Sequence, residues 1–245
     1  MSQENETTLG FRLLRAFSVP KKLGEGNEDR WLSNSDGSVA AVSDGASVSF
    51  DPGPWAETLV RHFVETPEVD LEWLQAAANE YRDAYDREAM PWMQQAAFDR
   101  GSFATLAGLV SSRDGTPARG FAVGDSLIVL LDGERCVRTF PYVDVAEFDA
   151  SPWLFSTTPR ENRHWSEDHF RAAWIDLHLA SCVSPRVLLM TDAVGRWLLE
   201  DIENRARALL EVPDSESFGT LVDDERAQGR MRRDDCTLVI MGAEG

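Results

Sequence analysis

Gly124-Asp-Ser-Leu-Ile-Val-Leu-Leu-Asp-Gly133 closes one apolar strand, opens a second and turns again at Asp132-Gly133. An Asp-Gly pair beside a branched apolar run signals a hairpin, because glycine supplies the backbone conformation that a tight turn demands. Antiparallel pairing follows. Working outward, similar short apolar runs recur at 39–42, 103–110, 120–123, 127–131, 187–190 and 237–241, and each has strand length. Between the first two lies a helical block. Trp55, Leu59, Val60 and Phe63 are spaced three to four residues apart, as are Leu71, Leu74, Ala78, Tyr81 and Tyr85, with Pro67 between the two groups. Strands gathered around helical blocks, instead of alternating singly with helices, imply an α+β fold. The expected architecture is a four-layer α/β/β/α sandwich with two mainly antiparallel sheets between helical layers.

The 245 residues show no repeat and no linker, so one domain spanning 1–245 is expected, with the polar residues 1–9 flexible. Residues 141–186, punctuated by Pro152, Pro159 and Pro185 and rich in Trp, read as an active-site flap containing a short helix. The formal charge of −18 repels nucleic-acid backbones and anionic lipid, which argues against both as partners. Cys136, Cys182 and Cys236 are odd in number and far apart, which fits a reducing cytoplasm better than a disulfide framework. Neither an export signal nor an apolar run of membrane-spanning length is found.

Four short acidic motifs stand at strand ends: Asn27-Glu28-Asp29, Asp44-Gly45-Ala46, Thr191-Asp192-Ala193 and Asp234-Asp235-Cys236-Thr237. A carboxylate that closes a strand projects from a rigid element into the rim where loops meet. Singly, each motif is an ordinary turn or helix cap. If they converge, carboxylate oxygens suit hard cations such as Mg²⁺ and Mn²⁺, whereas zinc would ask for closely spaced His or Cys. His62, His164, His169 and His178 offer no such pair beside the motifs.

Taken together and in this order, the motifs from Gly26 to Met241 resemble those of the metal-dependent Ser/Thr protein phosphatases of type 2C, in a bacterial-like single-domain form. Gly-Asn-Glu-Asp at 26–29 is similar to the family's opening Asn-x-Asp, Val42-Ser-Asp-Gly45 to its strand ending in Asp-Gly, Gly101-Ser-Phe-Ala-Thr105 to its Gly-x-Thr strand, and Gly124-Asp-Ser126 to its Gly-Asp-Ser hairpin. The resemblance implies two Mn²⁺ or Mg²⁺ ions. Asp44 would bridge them, the Gly45 carbonyl with Asp29 or Glu28 would serve one, Asp192 and Asp234 would hold the other, and Asp125 would hold a third, weak ion. On this reading Asp29, Asp44, Asp192 and Asp234 carry catalysis, and the substrate is a protein phosphorylated on Ser or Thr by a cognate kinase. Two departures stand out. The glycine-rich loops are reduced to Asp44-Gly-Ala-Ser47 and Thr191-Asp-Ala193, and the family's phosphate-gripping arginine is absent, leaving Lys21 and Lys22 as the nearest cations, with Arg30 after the motif. The rival implied by the same fold is a catalytically inactive, phosphoprotein-binding pseudophosphatase. A third reading keeps the chemistry but takes a small phosphomonoester or a signalling nucleotide as substrate.

Overall fold

The structure is a computed structural model that describes residues 10–22, 24–111, 117–179 and 181–244. Residues 1–9, for which flexibility is expected from the sequence, lie outside the described residues. The strands are β1 (Gly10–Val19), β2 (Arg30–Ser33), β3 (Val39–Ser43), β4 (Phe103–Ala104), β5 (Leu106–Val110), β6 (Ala118–Val123), β7 (Leu127–Asp132), β8 (Arg135–Phe140), β9 (Phe155–Ser156), β10 (Trp174–Leu177), β11 (Pro185–Met190) and β12 (Cys236–Glu244). The helices are α1 (Pro52–Glu65), α2 (Leu71–Asp83), α3 (Trp92–Arg100), α4 (Glu167–Ala172), α5 (Asp192–Glu200), α6 (Ile202–Glu211) and α7 (Ser215–Ala227).

Two five-stranded antiparallel sheets result, ordered β1-β12-β11-β7-β8 and β10-β6-β5-β3-β2. Apolar side chains of both sheets, among them Phe11, Val42, Leu109, Ile128, Leu189 and Val239, bury one another in a shared core. The outer face of the β3–β5–β6 sheet is covered by α1 and α2 through Trp55, Leu59, Phe63 and Leu74. That of the β7–β11–β12 sheet is covered by α5, α6 and α7 through Val194, Trp197, Leu209 and Phe218. Strands buried on both faces read as continuous apolar runs, and β3, β7 and β11 do. The α/β/β/α layering and α+β class expected from the sequence are what the structure has.

Three details differ from the sequence reading. The run 103–110 is two strands, because β4 leaves the main sheet to pair with β9 while Thr105 turns back toward Asp44. The segment 141–186 contains the expected short helix, α4, but its aromatics are largely core: Phe155, Trp165 and Phe170 are buried against α2, while Trp153 is exposed. Finally, α3, the strands β1, β2 and β10 and the helical run α5–α7 have no counterpart in the expected elements. Among the described residues no helix is long and apolar enough to cross a membrane, and all three cysteines are free.

Gly108 on β5 lies directly under the Phe63 ring, and a Cβ built there would fall inside the ring's contact surface. Gly108→Ala is therefore expected to lose roughly 1–3 kcal/mol by overpacking, read as a lower urea midpoint with an unchanged slope.

Candidate active site

The registers bring the acidic motifs to one end of the sandwich. In one sheet Arg30 pairs with Ser43, so the start of β2 and the end of β3 coincide, and Asp29 and Asp44 emerge together. In the other, Met190 lies opposite both Leu127 and Leu238, so the end of β11 meets the starts of β7 and β12. Asp125, Asp192 and Asp234 thus gather at the matching end. The two sheets are joined there by Thr191, whose hydroxyl donates to Asp29 Oδ2 at 2.8 Å and accepts from the Thr237 amide at 3.0 Å.

Local geometry fixes each side chain. Asp44 follows β3, its amide donating to Thr105 Oγ1 at 2.9 Å and its carbonyl accepting from the Thr105 amide at 2.9 Å. Thr105 Oγ1 in turn shares a hydrogen bond with Ser126 Oγ at 2.6 Å, which ties the Asp44 bend to the Asp125 turn. At Gly45 a Cβ would come within 2.8 Å of Pro52, so only glycine lets the chain pass the start of α1. Asp192 is the first residue of α5, with Thr191 before it.

The carboxylates are crowded together with little to neutralise them. Asp29 is 3% exposed, and burial, reinforced by Asp235 and Asp192, outweighs the hydroxyls of Thr237 and Thr191 and pushes its pKa up to about 8. Asp44 is raised well above the usual carboxylate range by burial and then by Asp29, Asp192, Asp125 and Asp234. Burial, followed by repulsion from Asp125 and Asp234, moves Asp192 to about 7. Asp125 is also raised, chiefly by burial, although its own backbone and Arg232 oppose this. Like charges brought together out of water need a cation or a proton between them. Asp29 Oδ1 and Asp192 Oδ1 are buried with no hydrogen bond among the described residues. Among those residues no three carboxylate, imidazole or thiol groups enclose a single point as they stand. An arc of oxygens with unused lone pairs fits a hard divalent cation that keeps much of its water, as Mg²⁺ and Mn²⁺ do.

The cations beside the first motif divide into three roles. The Lys21 ammonium lies 3.3 Å from Glu28 Oε2 and 3.1 Å from Ser47 Oγ, and the Ser47 hydroxyl also donates to Glu28. Burial lowers the Lys21 pKa and the charge of Glu28 raises it, with the net shift upward. Lys22 instead pairs with Glu25 at 2.8 Å on the exposed surface. Arg30 is structural: it donates to the carbonyls of Asn27 and Asp29 at 2.6 and 2.7 Å and reaches Glu57 at 3.7 Å. Glu28 is thus occupied by Lys21 and Ser47, apart from the Asp29 side chain.

Sequence reasoning missed the residues that hold this arrangement in place. Asp235, 3% exposed, accepts the backbone amides of Lys21 and Glu28 at 2.6 Å each and so ties both residues to the start of β12. It stood inside a quoted motif beside Asp234, yet only tertiary structure reveals its partners. Thr191, Thr105 and Thr237 also stand inside the quoted motifs, but no role for them could be read from the sequence. The charge of Arg232 acts on Asp125 and Asp192, against the repulsion of their acidic neighbours, and its guanidinium is held 3.2 Å from Asp149.

No protein-family model and no curated protein sequence matches the chain. Solved structures do match along nearly its whole length. PppA of Pseudomonas aeruginosa, described as a key regulatory component of T6SS, aligns at TM-score 0.60 and 16% identity over 96% of this chain and 98% of its own. The catalytic domain of the serine/threonine protein phosphatase PstP, in complex with two manganese ions, aligns at TM-score 0.59 and 18% identity over 97% and 100%. Stp1, a serine/threonine phosphatase of Staphylococcus aureus, aligns at TM-score 0.52 and 15% identity over 100% and 99%. With its two sheets, its helical layers and its carboxylates gathered at one end of the sandwich, the chain adopts the fold of the bacterial type 2C serine/threonine phosphatases.

Proposed function

We propose that the chain is a metal-dependent protein phosphatase that hydrolyses Ser/Thr phosphomonoesters in the cytoplasm by direct attack of water, with no covalent enzyme intermediate. The observation that carries this reading is the set of crowded carboxylates whose pKa values are raised and whose buried oxygens lack partners, the condition in which an active-site pKa is shifted for chemistry. Asp29, Asp44, Asp192 and Asp234, with the Gly45 carbonyl, would hold two Mn²⁺ or Mg²⁺ ions, and Asp125 would hold a third, weaker one. Glu28 would contribute through water at most, since Lys21 and Ser47 engage it. When bound, such ions neutralise the phosphoryl oxygens and make a water nucleophilic at neutral pH.

The chain's own groups fix positions. Thr191 orients Asp29, Thr105 fixes the bend at Asp44, and Asp235 steadies the loop that presents Lys21. Lys21 would meet a non-bridging phosphate oxygen as a point charge, without the two-pronged geometry of a guanidinium. Ala46 and Ser47 follow the bridging position, so protonation of the leaving alkoxide falls to water. The substrate would be a phosphoprotein made by a cognate kinase.

Release of phosphate from an aryl phosphate and from a phosphoserine peptide is expected with Mn²⁺ and is expected to vanish in chelator. Phosphopeptide binding without turnover at any metal concentration would instead identify the inactive, phosphoprotein-binding alternative. Lys21→Ala is expected to raise KM about tenfold, the worth of one charged hydrogen bond, with a smaller change in kcat. Lys22→Ala is expected to leave both constants near wild type, because its ammonium faces Glu25. Equal effects of the two substitutions would remove Lys21 from phosphate binding.

A further inference from the structure

Beyond the carboxylate rim, a cavity of ≈ 510 Å³ between the end of β1 and α7 contrasts with the chain's net charge of −18. Lys21, Lys22, Arg226 and Arg233 line it against one carboxylate, Asp223. Arg226 is the unusual member. Its side chain is 8% exposed, yet its guanidinium is met by neutral acceptors, the carbonyls of Pro20 at 3.2 Å and of Asp234. Its paired carboxylate, Asp223, lies 3.5 Å away with a side chain that is 81% exposed. Arg226 Nε is buried with no partner among the described residues. A guanidinium taken from water without a buried counter-charge is costly, and a second anion in the cavity would relieve that cost. Arg233, exposed at the mouth, has no carboxylate partner among the described residues.

The cavity and the rim share one stretch of chain. Asp234 accepts from Arg226 through its carbonyl, while its carboxylate, which accepts from the Asp235 amide at 3.0 Å, acts by its charge on Asp44, Asp125 and Asp192; Lys21 lines the cavity and also reaches Glu28 and Ser47. A polypeptide lying over the rim would therefore pass the cavity mouth. The geometry points to a second phosphate-binding subsite here, which takes a phosphorylated Ser or Thr of the substrate polypeptide other than the one at the carboxylate rim. This rests on the phosphatase reading for the word substrate, but binding in the cavity does not depend on turnover. A phosphoryl group is preferred to a carboxylate because it carries nearly two charges and three acceptor oxygens, which suits Arg226 and Arg233, the two cavity cations left after Glu28 and Glu25 engage Lys21 and Lys22.

The decisive measurement is calorimetric titration of the full chain in chelator, where the metal-dependent reaction is silent, with a phosphoserine peptide, its unphosphorylated form and a version carrying glutamate. The phosphopeptide is expected to bind at least about tenfold more tightly than either other form, with inorganic phosphate competing. Arg233→Ala and, independently, Ala227→Glu at the exposed end of α7 are each expected to erase that preference. Neither residue is among the proposed metal or phosphate ligands of the carboxylate rim, so kcat/KM on an aryl phosphate with Mn²⁺ should stay near wild type. With Mn²⁺ present, a doubly phosphorylated peptide is expected to be hydrolysed more efficiently than a singly phosphorylated one. Equal binding of phosphorylated and unphosphorylated peptides, an equally tight glutamate peptide, or an unaltered preference in both variants would overturn the subsite. Tight, phosphate-dependent binding in a chain that never turns over would keep the subsite and reject the phosphatase reading.

Discussion

Asp44→Asn is expected to reduce turnover by at least about a thousandfold at any attainable Mn²⁺ concentration, while the circular dichroism spectrum stays that of the wild type. The residue closes a strand buried along its whole length, and its backbone is fixed on both sides by Thr105. Its position does not depend on its charge. What the substitution removes is one negative charge and one oxygen from a site where Asp29, Asp192, Asp125 and Asp234 all act on Asp44. Four acidic neighbours acting on one carboxylate suit Asp44 to a bridging role between two cations. Asp192→Asn should show a weaker form of the same loss, partly recovered at high Mn²⁺. The metal-free Asp44→Asn protein should also melt higher than metal-free wild type near neutral pH, since one repelling carboxylate has gone. Wild-type turnover by the purified variant at limiting Mn²⁺ would remove Asp44 from the site.

How much of this was legible beforehand depended on the range of the interactions involved. The runs 39–42, 127–131 and 187–190 announced themselves because strands buried on both faces are continuously apolar, and they became β3, β7 and β11. β1 did not, since most of it is half-buried or exposed and it carries Arg12 and Arg15. The division at Thr105 was hidden because it depends on β9, some fifty residues later, which takes Ala104 away from the main sheet. For the site, strand-end aspartates and their order showed which residues to consider, and antiparallel register brought them together. The clamp formed by Asp235 on Lys21 and Glu28 spans more than two hundred residues of sequence, and no local pattern encodes it. The choice among Lys21, Lys22 and Arg30 was likewise open until the partners Glu28, Glu25 and Glu57 were placed.

In chelator, the chain is expected to lose stability as pH rises from about 4 to about 8, the reverse of the behaviour of a protein whose carboxylates are salt-bridged. In the unfolded chain aspartates titrate near 3.9, whereas in the folded chain Asp192 keeps its proton to about 7 and Asp29 to about 8. Below pH ~4 both states hold these protons, and the two groups add no pH dependence. Between those limits the unfolded state has released protons that the folded state retains, so each further rise in pH favours unfolding. Above about 8 both states are ionised and the full penalty of the crowded charges remains. For Asp29, 3% exposed, the loss is expected to be on the order of 3 kcal/mol after local relaxation and water entry. Asp29→Asn removes that charge but keeps an oxygen to accept the Thr191 hydroxyl. Its urea midpoint at pH 8.5 should therefore exceed that of the metal-free wild type, while at pH 4 the two should nearly coincide. Mn²⁺ at pH 8.5 should restore the wild type, because a cation then balances the carboxylates in place of the protons, and it should stabilise Asp29→Asn less. Parallel falls in midpoint between pH 4 and 8.5 for wild type and variant would show that the loss comes from the general surface charge, and that Asp29 is not strained by its neighbours.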